Sequence, residues 1–111
     1  MPKFSNTVLI TDLDGTLLPH NKILNEKDLN AIEYFRQNGG IFTIATGRII
    51  QAAEQFFEAL KPDAPVILNN GGLIYDIGKH KTLCEHCADV AARDYTLELM
   101  ERFPEMGVEI N

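Results

Sequence analysis

Three short apolar runs divide the first 70 residues of the chain, and polar or glycine-rich residues follow each run. The runs cover residues 7–11, 41–45 and 66–68 and consist mainly of aliphatic and β-branched side chains. Continuous runs of this length and composition are typical of strands that are buried on both faces of a parallel sheet. The pattern therefore predicts three parallel β-strands.

The segments between these runs have the periodicity of helices. Asn25 is predicted to cap the first helix, with Glu26 and Asp28 in its first turn, where negative charge suits the helix dipole. Two glycines at positions 39 and 40 end this helix. The apolar positions of the two helices are Leu29, Ile32 and Phe35, and then Ile49, Ala52, Ala53, Phe56, Phe57 and Leu60. This alternation of strands and helices predicts an α/β fold, with helices on the faces of a parallel sheet.

The pattern changes after residue 72. Residues 73–75 and 82–84 are predicted to form a hairpin around Gly78 and Lys79. A third helix is predicted from the spacing of Ala88, Ala92, Tyr95, Leu99 and Phe103. A further strand is predicted over residues 107–110.

Composition and charge exclude several classes of partner. The chain has 111 residues, of which 45% are hydrophobic and 23% charged, and its formal net charge is −6. An acidic balance argues against a nucleic-acid partner, which needs a basic surface. No apolar run reaches the roughly 18 residues of a membrane span, and the first residues lack the apolar core of a signal peptide. We therefore expect a cytoplasmic protein with neither a nucleic-acid nor a membrane partner.

Asp12 and Asp14 follow directly after the first predicted strand. Open α/β sheets bind their ligands at the carboxyl ends of their strands. Carboxylates at such an edge indicate a cation, and Mg²⁺ prefers hard oxygen ligands of this kind. An aspartate can also act as a nucleophile and accept a phosphoryl group.

Three motifs together resemble the haloacid dehalogenase superfamily. Residues 11–18, Thr-Asp-Leu-Asp-Gly-Thr-Leu-Leu, resemble its first motif, and residues 44–48, Ile-Ala-Thr-Gly-Arg, resemble its second. Residues 69–72, Asn-Asn-Gly-Gly, resemble the asparagine–glycine loop of the Cof-type branch. Each motif stands at the end of a predicted strand, and the three occur in the family's order.

The resemblance implies a Rossmann-like parallel core followed by the beginning of an α/β cap. Residues 1–72 correspond to the amino-terminal part of the core, and residues 73–111 to the connecting hairpin and the start of the cap. The family's third motif, a lysine, and its fourth, an acidic pair, have no counterpart here. The chain is therefore expected to be a truncated, amino-terminal portion of the fold. Its uncovered strand edges predict a homo-oligomer or poor stability.

The resemblance implies a Mg²⁺-dependent phosphatase, a hydrolase that acts on small phosphorylated metabolites. Asp12 would be the nucleophile and form an aspartyl-phosphate. Asp14 would protonate the leaving alcohol and then activate water, and a raised pKa would help this role. The Asp12 carboxylate and the Asp14 backbone carbonyl would bind the metal.

The resemblance also assigns residues to the phosphoryl group and the substrate. The backbone amide of Leu13, the hydroxyl of Thr46 and the amide of Gly47 at a helix start would bind phosphoryl oxygens. Thr46 could instead be a simple helix cap. Arg48 would reach the phosphate or form a structural ion pair. The remaining two candidates, Asn70 and Gly71, would contact substrate or hold the Asp12 loop.

Two other functions remain open at this point. A phosphomutase of the same superfamily would use the same pair of aspartates. A non-catalytic binding or assembly module is favoured by the missing lysine and acidic motifs, since fold resemblance alone does not settle function.

A second group of reactive residues comprises Cys84, Cys87, His80 and His86. Zinc ligation and redox chemistry are the alternatives to partly buried free thiols in a reducing cytoplasm. The spacing does not match the common zinc pattern, which favours the free thiols.

Overall fold

Two parallel strands, β1 (Val8–Thr11) and β2 (Ile41–Ile44), form the first part of the sheet in the computed structural model, which describes residues 1–109. They pair in register along their whole length, with Val8 opposite Ile41 and Thr11 opposite Ile44. The third strand, β3 (Val66–Leu68), joins β2 through a parallel bridge between Ala45 and Ile67. The predicted parallel α/β arrangement is confirmed.

Helix α1 (Glu26–Gln37) begins and ends where the sequence predicts. The Asn25 side chain accepts a hydrogen bond of 2.8 Å from the Lys27 amide and so caps the first turn. Ile32 lies on the face of the helix that packs on the core, where it is buried. Gly39 has a φ of 89°, which is the left-handed conformation that a glycine accepts at low cost.

The second helical segment is shorter and less regular than predicted. It consists of α2 (Ile50–Ala53), a 3₁₀ turn (Glu54–Phe56) and α3 (Phe57–Leu60), instead of one uniform helix. A 3₁₀ turn has three residues per turn, so Ala53 and Phe56 lie one above the other. Both are buried, as is Leu60. The tighter turn thus keeps the apolar stripe on the core.

Eleven buried apolar residues form a single core between the sheet and the helices. They are Leu13, Leu17, Leu18, Ile32, Phe42, Ile44, Ala53, Phe56, Leu60, Val66 and Leu68. Three of them belong to the loop after β1, which also carries the two predicted catalytic aspartates. Burial of these leucines anchors that loop to the core, with each fully buried leucine contributing about 1.5–3 kcal/mol.

The predicted hairpin is present and is longer than expected. Strand β4 (Leu73–Asp76) runs antiparallel to β3, and β5 (Lys81–Glu85) runs antiparallel to β4. The β4–β5 pairing shifts register between Ile74 and Tyr75, which pair with Cys84 and Thr82. The hairpin therefore extends the sheet beyond β3.

Helix α4 (Ala91–Arg102) confirms the third predicted helix, although it begins three residues later than Ala88. Within the described residues, none of its side chains is buried. The strand predicted over residues 107–110 is wrong for residues 107–109, which have irregular backbone. These residues have no partner strand in the described part of the chain, and Ile110 lies outside it.

No helix among residues 1–109 is long and apolar enough to cross a membrane. The division at residue 72 into core and cap stays a prediction.

The free edge of β1 exposes apolar side chains. Val8, Leu9 and Ile10 are 54%, 39% and 51% exposed, and among the described residues β1 pairs with β2 alone. An apolar strand edge of this kind can pair with another chain.

We predict that the chain self-associates through this edge. Replacing both Val8 and Ile10 by lysine should shift the population towards monomer, because paired charges at an edge oppose strand addition. Light scattering over a range of protein concentrations measures the change. The matched control replaces Leu97 and Leu99, which are 51% and 47% exposed on α4, by lysine. If the α4 variant becomes monomeric and the β1 variant does not, the β1 edge is not the surface of self-association.

Candidate active site

The loops that follow β1, β2 and β3 meet at one edge of the sheet. Asp12 comes from the first loop, Thr46 and Gly47 from the second, and Asn70 and Gly71 from the third. All five line one cavity of about 310 Å³, which Ala45 and Ile67 complete. Parallel strands carry their carboxyl ends to the same edge, which explains why residues so far apart in sequence converge.

The loop after β1 holds Asp12 at the cavity wall. Asp12 is exposed, and its Oδ1 accepts a hydrogen bond of 2.8 Å from the Leu13 amide. Leu13 and Leu18 are fully buried, and the Leu18 amide donates to the Leu13 carbonyl at 2.7 Å. Gly15 turns the chain with a φ of 80°. The Leu13 amide, predicted to face a phosphoryl group, is engaged by the Asp12 carboxylate in this structure.

Asp14 is held by two cations. Arg48 binds it in a bidentate manner, with Nε at 2.7 Å from Oδ2 and Nη2 at 2.8 Å from Oδ1. Lys22 adds a contact of 2.7 Å between its Nζ and Oδ1. Bidentate guanidinium–carboxylate pairs are among the stronger charge-assisted hydrogen bonds in proteins.

These contacts oppose the raised pKa that would help Asp14 in an acid–base role. Hydrogen bonds from Arg48 and then Lys22 hold the pKa of the Asp14 carboxyl well below its usual range. The hydrogen bond between Arg48 and Asp14 also raises the pKa of Arg48. Both effects follow because each ion stabilises the charged form of the other. In this conformation Asp14 is an ionised carboxylate at neutral pH.

Arg48 is fixed on several sides. Its Nη1 donates to the Ala52 carbonyl at 3.2 Å, and its guanidinium carbon lies 5.2 Å from the centre of the Phe56 ring. Cation–π contact and the ion pair with Asp14 together hold the side chain in one place. Of the two readings from the sequence, the structure has the ion pair.

Thr46 is buried, and its main-chain amide donates to the Ile67 carbonyl at 2.9 Å. Its hydroxyl accepts a hydrogen bond of 3.1 Å from the Arg48 amide. The helix-cap reading of Thr46 is wrong, because α2 begins only at Ile50 and Ile49 occupies the cap position. For the same reason Gly47 does not lie at a helix start. The backbone of Ile49 is extended and delays the helix.

The loop after β3 packs against the loop after β2. The Asn70 amide donates to the Thr46 carbonyl at 3.1 Å, and the Asn69 amide to the Arg48 carbonyl at 3.1 Å. A Cβ on Gly47 would lie 2.9 Å from the Asn70 Oδ1, so a larger residue there would displace the Asn70 side chain. Asn70 itself has a φ of 54°, which asparagine tolerates better than most residues. The asparagine loop thus holds the second motif in place.

Sequence reasoning missed Lys22. It lies eight residues after Asp14 in an irregular loop, with a φ of 57°. A lysine in such a loop matches no motif and no periodic pattern. Only the fold of the loop brings it to the carboxylate.

The cysteines are more exposed than predicted. Cys84 and Cys87 are free and exposed, which corrects the expectation of partly buried thiols. Cys84 lies near the end of the outermost strand of the hairpin and Cys87 just beyond it, where no element of the described chain covers them. His80 stands at the other end of β5 from His86, so the four residues are not brought together. Residues 1–109 contain no group of three or more histidine, cysteine or acidic side chains that could hold a metal.

Carboxylate, hydroxyl and asparagine side chains thus meet at the carboxyl end of a parallel sheet, where open α/β sheets bind their ligands. The family model of haloacid dehalogenase-like hydrolases matches residues 9–111, and the chain belongs to this family. It is 38% identical over 98 residues to the pyridoxal phosphate phosphatase YbhA of Escherichia coli. It is 36% identical over 89 residues to the 5-amino-6-(5-phospho-D-ribitylamino)uracil phosphatase YwtE of Bacillus subtilis.

These matches cover most of this chain and a minor part of each relative. They span 88% and 78% of the chain, but 35% and 30% of the two phosphatases. Among solved structures, a phosphatase from Bacteroides thetaiotaomicron has a TM-score of 0.76 at 23% identity, over 92% of this chain and 37% of its own. A haloacid dehalogenase-like hydrolase from B. subtilis has a TM-score of 0.74 at 26% identity, over 88% and 34%. The chain therefore spans about a third of the length of its relatives.

The ion pairs of Asp14 should stabilise the fold in a pH-dependent way. A carboxyl group whose pKa is lowered on folding contributes stability above its unfolded pKa of about 4, and this contribution is lost as the pH falls through the folded pKa. Asp14→Asn should therefore lower the free energy of unfolding at neutral pH by about 0.5–1 kcal/mol, since the pair is partly exposed.

Urea unfolding of both proteins at neutral pH and at successively lower pH measures this difference. It should shrink below about pH 4. Glu101→Gln, an exposed position on α4, is the control and should show little difference at any pH. A difference between wild type and Asp14→Asn that stays constant down to low pH would contradict the ion-pair account.

Proposed function

We propose that this chain supplies the catalytic aspartates of a Mg²⁺-dependent phosphatase that acts on small phosphorylated metabolites. Residues 1–72 would form the amino-terminal part of the catalytic core, and residues 73–111 would begin the cap. The main support for this proposal is the cavity at the sheet edge, where an exposed carboxylate faces neutral hydrogen-bonding groups. The two relatives are named as phosphatases of small phosphorylated compounds, which supports this substrate class.

Asp12 is the proposed nucleophile. Its carboxylate is exposed in the cavity, and one oxygen is oriented by the Leu13 amide, which leaves the other free. This oxygen would attack phosphorus as the bond to the leaving alcohol breaks, and an aspartyl-phosphate would result. Water would then attack the phosphorus, release inorganic phosphate and restore the carboxylate.

The phosphoryl oxygens would be bound by Thr46, Gly47 and the Asn70–Gly71 turn. The Thr46 hydroxyl accepts from the Arg48 amide, so its own hydrogen is free to donate. The Asn70 side chain packs so closely against Gly47 that a Cβ there would lie 2.9 Å from its Oδ1, so these two residues form one wall of the cavity. Preorganised neutral donors of this kind stabilise charge that develops in a transition state.

The donor set also fits Mg²⁺. The Asp12 carboxylate and the Asp14 backbone carbonyl are hard oxygen ligands, whereas the Asp14 side chain is already bound by Arg48 and Lys22. When bound, Mg²⁺ would reduce the charge repulsion between Asp12 and a phosphoryl group.

Asp14 is the proposed acid–base residue, and its two ion pairs restrict when it can act. As an ionised carboxylate it can accept the proton of the attacking water. To protonate the leaving alcohol it must first acquire a proton, which requires that the contacts to Arg48 and Lys22 loosen. A phosphorylated substrate is itself an anion and would compete for these two cations.

We predict that Asp12 is essential for phosphoryl transfer. The test uses a polypeptide that joins this chain to the remaining part of the E. coli relative. Its Asp12→Asn variant should lose activity on a generic phosphate ester with Mg²⁺ by more than about a thousandfold, because an amide cannot form the acyl phosphate. The 111-residue chain alone should be slower than the joined protein by at least roughly a hundredfold, since it corresponds to only 35% of that relative and loss of charge-stabilising groups slows such reactions.

Asp28→Asn, in the first turn of α1, is the control and should retain the rate of the joined protein. Circular dichroism of each variant confirms that the fold is kept. Turnover by Asp12→Asn close to that of the parent would end the assignment of Asp12.

Magnesium should bind the 111-residue chain weakly. Two oxygen ligands correspond to a Kd of about 1 mM or weaker, or about 4 kcal/mol of binding free energy. Isothermal titration calorimetry measures the affinity, and Asp12→Asn should weaken it further. Micromolar binding that survives in Asp12→Asn would place the ion elsewhere.

A further inference from the structure

The end of strand β5 carries two accessible thiols and an imidazole. Cys84 and Cys87 are both free and exposed. The Cys84 Sγ lies 3.6 Å from the His86 Nε2, within hydrogen-bonding reach of sulfur. The proposed phosphatase function uses none of these three residues.

The same segment is tied to the asparagine loop. Glu85 pairs with Leu73 on β4, and the His86 amide donates to the Gly72 carbonyl at 2.8 Å. The Gly72 amide in turn donates to the Asn69 carbonyl at 3.0 Å and closes the 69–72 turn. Asn69, Gly72, His86 and Cys87 line one cavity of about 650 Å³. The Asn69 Oδ1 is buried there without a hydrogen-bond partner among the described residues.

The two thiols are not joined in this conformation. Strand β5 ends at Glu85, so Cys84 lies within the strand and Cys87 lies two residues beyond it. Three residues of extended chain span about 10 Å, whereas a disulfide needs Cα atoms about 4.4–6.8 Å apart. A disulfide between Cys84 and Cys87 therefore requires a bent chain at Glu85 and His86. Because His86 lies within this bend, we expect disulfide formation to break its hydrogen bond to Gly72.

We propose that Cys84 and Cys87 form a redox-sensitive pair, and that its oxidation to a disulfide releases the end of β5 from the 69–72 turn. The oxidant is a hydroperoxide. This device acts on the loop that packs against Gly47, so its effect on phosphoryl transfer rests on the proposed function. The oxidation of the thiols and the release of the loop do not depend on the proposed function.

The chemistry balances in two steps. The His86 Nε2, unprotonated in the Nδ1–H tautomer, accepts the proton from the Cys84 Sγ, and the thiolate attacks one peroxide oxygen. The O–O bond breaks, a sulfenic acid forms on Cys84, and one water leaves. The Cys87 sulfur then attacks the Cys84 sulfur, the S–O bond breaks, and the departing hydroxide takes the Cys87 proton and leaves as a second water. Two thiols are oxidised to one disulfide as one hydrogen peroxide is reduced to two waters.

The experiment treats the reduced 111-residue chain with one equivalent of hydrogen peroxide. Intact mass spectrometry should show the loss of two hydrogen atoms, and peptide mapping should join Cys84 to Cys87 within one chain. Amide hydrogen exchange at His86 should accelerate by on the order of tenfold as the bond to Gly72 is lost, while strands β1 and β2 keep their protection. Dithiothreitol should reverse both changes.

Variants separate the roles of the three residues. Cys87→Ser should stop at the sulfenic acid, which a dimedone label detects. His86→Gln should slow oxidation at least about tenfold, because it removes the proton acceptor. His80→Gln, at the far end of β5, is the matched control and should oxidise at the wild-type rate.

Three results would overturn the proposal. They are disulfides between chains only, peroxide consumption that yields only higher oxides of sulfur, and an internal disulfide with unchanged exchange at His86. None of these readouts measures phosphatase activity. An inactive chain with a reversible internal disulfide would contradict the proposed function and leave this inference intact.

Discussion

The bidentate contact between Arg48 and Asp14 is the interaction on which the geometry of the site depends. It ties the loop after β1 to the loop after β2 across 34 residues of sequence. Arg48 also bonds to the Ala52 carbonyl and lies over the Phe56 ring, so the loops are joined to the following helix as well. Lys22 adds a second cation beside Asp14. As a consequence, the two aspartates have different environments. Asp14 is engaged by cations, and Asp12 is left as the accessible carboxylate of the cavity.

Main-chain hydrogen bonds extend this framework across the sheet edge. Thr46 bonds to Ile67 and Asn70, which sets the second and third loops side by side. The 69–72 turn then continues through Gly72 to His86 at the end of β5. Each loop follows a strand that pairs with a neighbour in the sheet. The spacing of the strands therefore sets the spacing of the loops. The buried leucines of the first loop add a second anchor. A preorganised cavity at the strand ends follows from this arrangement.

Much of this could be predicted from the sequence because it depends on local patterns. The apolar runs predicted the strands, Asn25 predicted the start of α1, and the three motifs at strand ends predicted a common site. The errors have tertiary causes. The pKa of Asp14 depends on Lys22 and Arg48, and no local pattern relates Lys22 to a carboxylate. Extended backbone at Ile49 delays the second helix and removes Thr46 and Gly47 from a helix start. The exposure of Cys84 depends on its position in an outer strand, which composition does not reveal.

The central claim is that Asp12 accepts the phosphoryl group. Beryllium trifluoride with Mg²⁺ tests this most directly, because it forms a stable mimic of an aspartyl-phosphate on a reactive carboxylate. Fluorine NMR of the chain, followed by a crystal structure of the complex, locates the adduct. The account predicts a beryllium–oxygen bond to the Asp12 carboxylate, fluorides directed at Thr46 and Gly47, and loss of the signal in Asp12→Asn. An adduct on another carboxylate, or a signal that persists unchanged in Asp12→Asn, would contradict it.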